Sequence, residues 1–289
     1  MIPLLFALAI LCFTFQNISF KQFNIHYKKN PASYFIFTSI FFLSVSAIFL
    51  IMGIDVSLFD PGVAALGLMF AVSFIVAINL FMKALENGPL GLSFLFFSAG
   101  IIVPILFGII VFSEPAPLHK IGGLVLLFVA FFISTAGKSE GKMSKKWALY
   151  ILLASFFNGL LGLTLRLIPS VMPDYALREF LFLSFVQGAA ITLVIGLFLI
   201  WKYKMSVSHF RCIPFGLVVL LAAVSTAFGN YIMAQLSLLV TAIIQFPVVS
   251  GTLVITSIIT SRLVYKEQVT KHHLAAIAIG VAAIVLLSI

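Results

Sequence analysis

The residues able to do chemistry in this chain are mostly amides and hydroxyls set inside long apolar runs. Gln16 and Asn17 share a helical stripe with Phe13 and Phe20, at i, i+3, i+4, i+7 spacing. Asn79 lines up with Lys83 and Glu86, Thr226 with Asn230 and Met233, and Ser155 and Asn158 with Gly162 and Arg166. Ser98 precedes Pro104, Gln187 precedes Gly188, and Gln245 leads toward Thr252 and Thr256. Amides and hydroxyls donate and accept hydrogen bonds without changing charge near neutrality, so they suit the holding of a polar solute. The candidate substrate-binding residues are therefore Gln16, Asn17, Asn79, Ser98, Asn158, Arg166, Gln187, Asn230 and Gln245. Two readings stand for each amide. It can face a central cavity, or it can bond a neighbouring helix as packing glue worth about 0.6 kcal/mol. Arg166 likewise can receive a carboxylate or phosphate, or reach out to lipid headgroups.

Catalytic and metal-binding patterns are missing from the sequence. The five histidines, His26, His119, His209, His272 and His273, lie outside the centres of the apolar runs and make no metal spacing. No HExxH, GxSxG or Walker-type motif occurs. All eight acids (Asp55, Asp60, Glu86, Glu114, Glu140, Asp174, Glu179 and Glu267) fall in connections or at the ends of apolar runs. A proton-coupled exporter of cations would place a carboxylate deep in the membrane, where cation and proton compete for it. The expectation is thus a neutral or zwitterionic solute, no catalytic residue, no metal and no cofactor.

The elements that must position these residues follow from composition. Of 289 residues, 63% are apolar and 9% charged, with 32 phenylalanines, and the mean hydropathy is +1.25. Soluble domains hold about 45–50% apolar and about 25% charged residues, so this is a polytopic membrane protein. Ten apolar stretches cover 2–20, 34–54, 62–82, 89–112, 118–136, 147–168, 175–201, 213–235, 241–264 and 273–288. A spanning helix takes about 20 such residues. The runs are continuous rather than alternating, which excludes a β-barrel. The connections leave no room for a soluble catalytic or nucleotide-binding domain.

The net charge of +9 is a topology signal rather than a mark of nucleic-acid binding. Of the 17 Lys and Arg residues, 14 fall in or beside the odd-numbered connections. Lys120, Arg166 and Arg178 fall in the even-numbered ones. The positive-inside bias places the odd connections in the cytoplasm and both termini outside. Met1-Ile2-Pro3 offers no basic leader, so the first run reads as a retained span in a bacterial inner membrane. Cys12 and Cys212 form no disulfide framework.

The chain also repeats itself. Thr14-Phe15-Gln16-Asn17 matches Ser155-Phe156-Phe157-Asn158 at a displacement of 141. Asn79, Met82 and Leu85 match Asn230, Met233 and Leu236 at 151, and Glu114 matches Glu267 at 153. The matches keep one order. Five spans per half is an odd number, so the second half lies upside down relative to the first. The fold expected is all-α, with ten transmembrane helices in two inverted five-helix repeats: residues 1–137, a basic connection 138–146, and residues 147–289.

Ala84-Leu85-Glu86-Asn87-Gly88-Pro89, Pro104, Ser113-Glu114 and Gly122-Gly123, with Lys266-Glu267 and the Ala/Gly-rich last span, resemble the EamA-like branch of the drug/metabolite transporter superfamily. The sequence departs from that pattern at Ser113 and Lys266, where the family often has Gly. It departs again at Phe15-Gln16, where a Trp-Gly pair is common, and in the sidedness of its termini. The resemblance implies a secondary transporter of a small polar metabolite, such as an amino acid or sugar, working by alternating access without ATP. A proton-coupled multidrug or metabolite exporter is the alternative within that class. An intramembrane enzyme or receptor-like protein is the alternative outside it. The partners expected are the solute and the lipid bilayer, with no nucleic acid, in a monomer or homodimer.

Overall fold

The structure is a computed structural model that describes residues 2–55, 61–88, 90–111, 117–136, 145–171, 177–206, 210, 212–240, 242–266 and 271–288. The secondary structure of the described residues is α-helical with a 3-10 turn at Ala99–Ile101, and no strand occurs among them. In chain order the helices are α1 (Ile2–His26), α2 (Pro31–Ile51), α3 (Pro61–Asn87), α4 (Leu90–Ser98), α5 (Ile102–Val111) and α6 (Leu118–Ala136). They continue with α7 (Lys145–Val171), α8 (Leu177–Tyr203), α9 (Ile213–Leu239), α10 (Ala242–Leu263) and α11 (Lys271–Ser288). Among the described residues, α1, α2, α3, α7, α8 and α9 are long and apolar enough to cross a membrane. The 25 residues of α1 extend about 37 Å, against a hydrocarbon core of about 30 Å. This is a membrane-embedded helical protein.

Several helices outrun the apolar stretches that announce them. α1 continues through Lys21 to His26, and α3 continues through Lys83 and Glu86 to Asn87. The fourth stretch is divided, because Ala99–Ile101 tightens into a 3-10 turn between α4 and α5. Pro104 explains the place of the break: its ring would collide with the carbonyl four residues earlier, that of Gly100. α10, by contrast, runs through Pro247.

The chain gathers into two compact units, and neither is a sequential half. One contains residues 3–79 and 167–235, the other residues 80–166 and 236–289. Helices α3, α7 and α9 contribute to both.

In the first unit α2 packs lengthwise along α8. Ile36 meets Gly196, Phe42 meets Gly188, Phe49 stacks near Phe185, and Arg178 donates to the Met52 carbonyl at 3.0 Å. Residue numbers rise on one helix as they fall on the other, so the pair is antiparallel. Asn30 and Ser33 begin α2 with a reciprocal capping box, and Pro31 stands at its first turn, where its missing N–H costs nothing. Gly53 ends it with φ +84°, a left-handed turn open to glycine at no steric cost. Between the helices lies a web of phenylalanine. Phe23 stacks on Phe37 at 4.0 Å, Phe20 meets Phe41 edge-on at 5.6 Å, and Phe42, Phe70 and Phe74 close around Phe185. Much of the Phe content is therefore interior rather than lipid-facing.

In the second unit α6 packs along α11, and α10 packs on both α4 and α11. The 3-10 turn presses against α7 so closely that a Cβ on Gly100 would strike the Ser155 carbonyl. One on Gly159 would strike the Gly100 carbonyl. Trp147 is fully buried and donates from Nε1 to Ser93 Oγ at 3.0 Å.

Candidate functional site

The polar side chains of the first unit begin at the contact of α1 with α9. Gly229 makes that contact possible: a side chain there would start 3.1 Å from the Phe13 ring and 3.3 Å from Cys12. One turn further along each helix, Gln16 Nε2 donates to Thr226 Oγ1 at 2.6 Å, inside the protein. Thr226 is fully buried and Gln16 is 6% exposed. This bond ties the two helices together.

Asn17, next to Gln16 and equally buried, has an amide nitrogen with no hydrogen-bond partner. Asn230 stands one turn beyond Thr226 and donates to the Thr226 carbonyl at 2.9 Å. Asn79 does the same on α3, donating to the Ile75 carbonyl at 2.7 Å, and its buried oxygen has no partner. A buried polar group left unpaired costs about 1–3 kcal/mol, and such groups need an explanation. Gln187, half-buried on α8, donates to the Ala64 carbonyl at 3.2 Å, and its Oε1 is also unpartnered. Among its described residues the first unit thus holds an unmatched donor on Asn17 and unmatched acceptors on Asn79, Gln187 and Glu179.

The remaining candidates lie in the second unit and are occupied differently. Asn158, half-buried on α7, donates to the Phe97 carbonyl at 3.1 Å. A switch from α to 3-10 bonding passes over a carbonyl at the junction, and the Asn158 amide meets one there. Ser98, 3% exposed, is the last residue before that turn. Gln245 is 1% exposed and accepts from Ser237 Oγ at 3.0 Å. Arg166 is half-buried near the end of α7. The structure therefore brings Gln16, Thr226 and Asn230 together, and it groups Ser98 with Asn158 at the helix break.

Two charged residues stand out beyond those candidates. Lys21 belongs by charge to the first connection, yet it lies within α1 and is 9% exposed. Glu179, in the first turn of α8, is fully buried. Its Oε1 accepts from the Asp55 backbone N–H at 2.9 Å, and its Oε2 has no partner. The sequence held a signal for Lys21, which stands four residues after Asn17 on the same helical face. For Glu179 it held none, because burial at a helix end depends on how the α2–α3 connection folds back. Lys83 lies 5.8 Å over the Tyr150 ring. Among the described residues, no three His, Cys, Asp or Glu side chains converge as metal ligands would. Glu114 and Glu267 lie outside the described residues.

No family model and no curated protein matches this sequence. Its fold does have precedent. Among solved structures, one known only as "Crystal structure of protein" superposes with a TM-score of 0.69 at 12% identity. The match covers 98% of this chain and 94% of the other. That likeness establishes a shared fold and carries no activity with it.

Proposed function

We propose that this protein is a secondary transporter that moves a small polar organic solute across the membrane by alternating access, without ATP. The observation that carries the reading is the pairing of helices within the units. Divided by the repeat, the first half runs α1, α2, α3, the broken α4–α5, and α6; the second runs α7 to α11. α2 and α8 are the second helices of the halves, α4 and α10 the fourth, α6 and α11 the fifth. Each of these six helices packs on its own counterpart. Counterparts related by a two-fold axis in the membrane plane must meet antiparallel, as α2 and α8 do. The repeat displacements of 141 and 151 carry Phe42 onto residues 183–193, and Phe42 packs on Gly188 within that window. Asn79 and its repeat match Asn230 each donate to the carbonyl four residues back.

These features support ten spans in two inverted five-helix repeats, of the EamA-like kind within the drug/metabolite transporter superfamily. Two similar halves give two packings of similar energy, one open to each side, with the solute near the midplane. The unmatched buried polar atoms of Asn17, Asn79 and Gln187 are the groups that a solute with both donors and acceptors would satisfy. Reconstituted into liposomes, the protein should accumulate such a solute against an exchange partner with no ATP present. Asn17→Ala should abolish that uptake; uptake unchanged by it would exclude the site.

One observation favours a proton-coupled version. Glu179 is a fully buried carboxylate with one unpartnered oxygen, flanked by Arg178 and the Asp55 backbone. Under that version Glu179→Gln abolishes uptake driven by a pH gradient and spares solute exchange at uniform pH. Equal loss of both would remove Glu179 from the coupling.

A further inference from the structure

The end of α8 joins an apolar stripe to a group of exposed ammonium ions. Val194, Leu197, Phe198 and Trp201 follow one another at i, i+3, i+4, i+7 spacing, so they share one face of the helix. That face is open, for the four side chains are 67%, 52%, 49% and 78% exposed. It runs about 10 Å along α8. Trp201 and the exposed Tyr203 stand at its end, and these are the residue types that gather at a membrane–water interface. Lys202 Nζ lies 5.5 Å over the Phe198 ring and 5.3 Å over the Tyr203 ring. An ammonium is thus seated on the end of the stripe itself.

Two further lysines gather there. Lys204 ends α8 with φ +49°, and two residues on the Ser206 carbonyl accepts from Asn30 Nδ2 at 2.9 Å. This bond brings the α1–α2 connection, with Lys29 next to Asn30, to the end of α8. Lys29, Lys202 and Lys204 are all exposed. The unit's described carboxylates, Asp55 and Glu179, meet at the other end of α2. The 21 residues of α2 hold them about 30 Å away, more than about three Debye lengths at physiological salt. They do not neutralise these lysines.

Positive charge beside a span orients a protein whatever lipid surrounds it. An apolar stripe that ends under an ammonium adds a second requirement, an occupant with both an acyl chain and an anionic head. We propose that this end of the first unit seats an anionic phospholipid, with one acyl chain along the 194–201 stripe and its phosphate among Lys29, Lys202 and Lys204. A soluble anion would use the lysines and leave the stripe idle. A zwitterionic lipid would use the stripe but bring a phosphate already paired with its own cation.

The protein's own fluorescence supplies the test. Of the two tryptophans, Trp147 is fully buried and Trp201 is exposed, so bromine on a bound acyl chain quenches Trp201 by contact. Full-length protein in phosphatidylcholine liposomes receives increasing mole fractions of phosphatidylglycerol or phosphatidylcholine with brominated chains. Brominated phosphatidylglycerol should quench with an apparent affinity about fivefold or more above that of brominated phosphatidylcholine. The combined Lys29→Gln, Lys202→Gln, Lys204→Gln variant should bring that ratio near one. The matching triple Arg variant should keep it, with monodisperse elution checking both folds. Trp201→Phe should remove the selective quenching. A ratio near one in the wild type overturns the proposal, as does selectivity that survives the Gln variant or the loss of Trp201. Selectivity abolished by inorganic phosphate, but not by chloride at equal ionic strength, would also overturn it by assigning the lysines to a soluble anion. The readout needs no transported solute, so its failure and the failure of the transport reading are separate results.

Discussion

At the scale of single residues, the first unit separates polar side chains that hold the fold from those that do not. Gln16 and Thr226 are spent on each other at 2.6 Å, so Gln16→Ala removes a bond and strands a buried hydroxyl. We expect it to lower stability by about 1 kcal/mol, read by thermal unfolding in detergent. Asn17→Leu should do the opposite, because its amide nitrogen is already unpartnered inside the protein. Its unfolding temperature should equal or exceed that of the wild type while solute uptake is lost. Equal destabilisation by both variants would make Asn17 a packing residue. Sequence made the stripe of Gln16 and Asn17 visible but could not divide the two roles, since neighbours on one helix differ only in what the facing helix offers.

Elements are fixed in this protein by close approach as much as by apolar burial. Gly100 and Gly159 let the 3-10 turn and α7 meet backbone to backbone. Gly100→Ala or Gly159→Ala should each cost about 1–3 kcal/mol, typical of over-packing. Gly216→Ala in α9 has no atom within 4 Å of the new methyl, so helix propensity alone acts and stability should rise by about 0.5–1 kcal/mol. Thermal unfolding of the three variants side by side checks the contrast. The positions of the helices were legible in the apolar runs, because a spanning helix must be continuously apolar. Their ends were not: a count of apolar residues stops at Lys21, whereas α1 carries Lys21 on an inward stripe and continues to His26. The break before Pro104 was foreshadowed by the proline itself, and its displacement to Ala99–Ile101 follows from the ring's reach to the carbonyl four residues back.

For the whole molecule, the informative result is that compact units and sequential halves do not coincide. Each unit draws segments from both halves, and within it α2 lies on α8, or α6 on α11. The sequence led to an expected repeat through Asn79 with Asn230 and Glu114 with Glu267, whereas the packing of α2 on α8 and of α6 on α11 was not legible in it, because apolar faces of similar composition do not specify their partners. Charge distribution makes a separate prediction: tags at either terminus should be accessible from outside intact cells, and accessibility only after permeabilisation would reverse the orientation. The central claim is that buried, unfilled amides serve a transported solute. It is tested most directly by counterflow in proteoliposomes, using a defined mixture of amino acids, organic acids and sugars with no ATP, quantified by mass spectrometry. The account predicts that at least one of these solutes accumulates with the wild type and not with Asn17→Ala or empty liposomes. Accumulation of none of them above the empty-liposome level, or accumulation indifferent to Asn17, would contradict it.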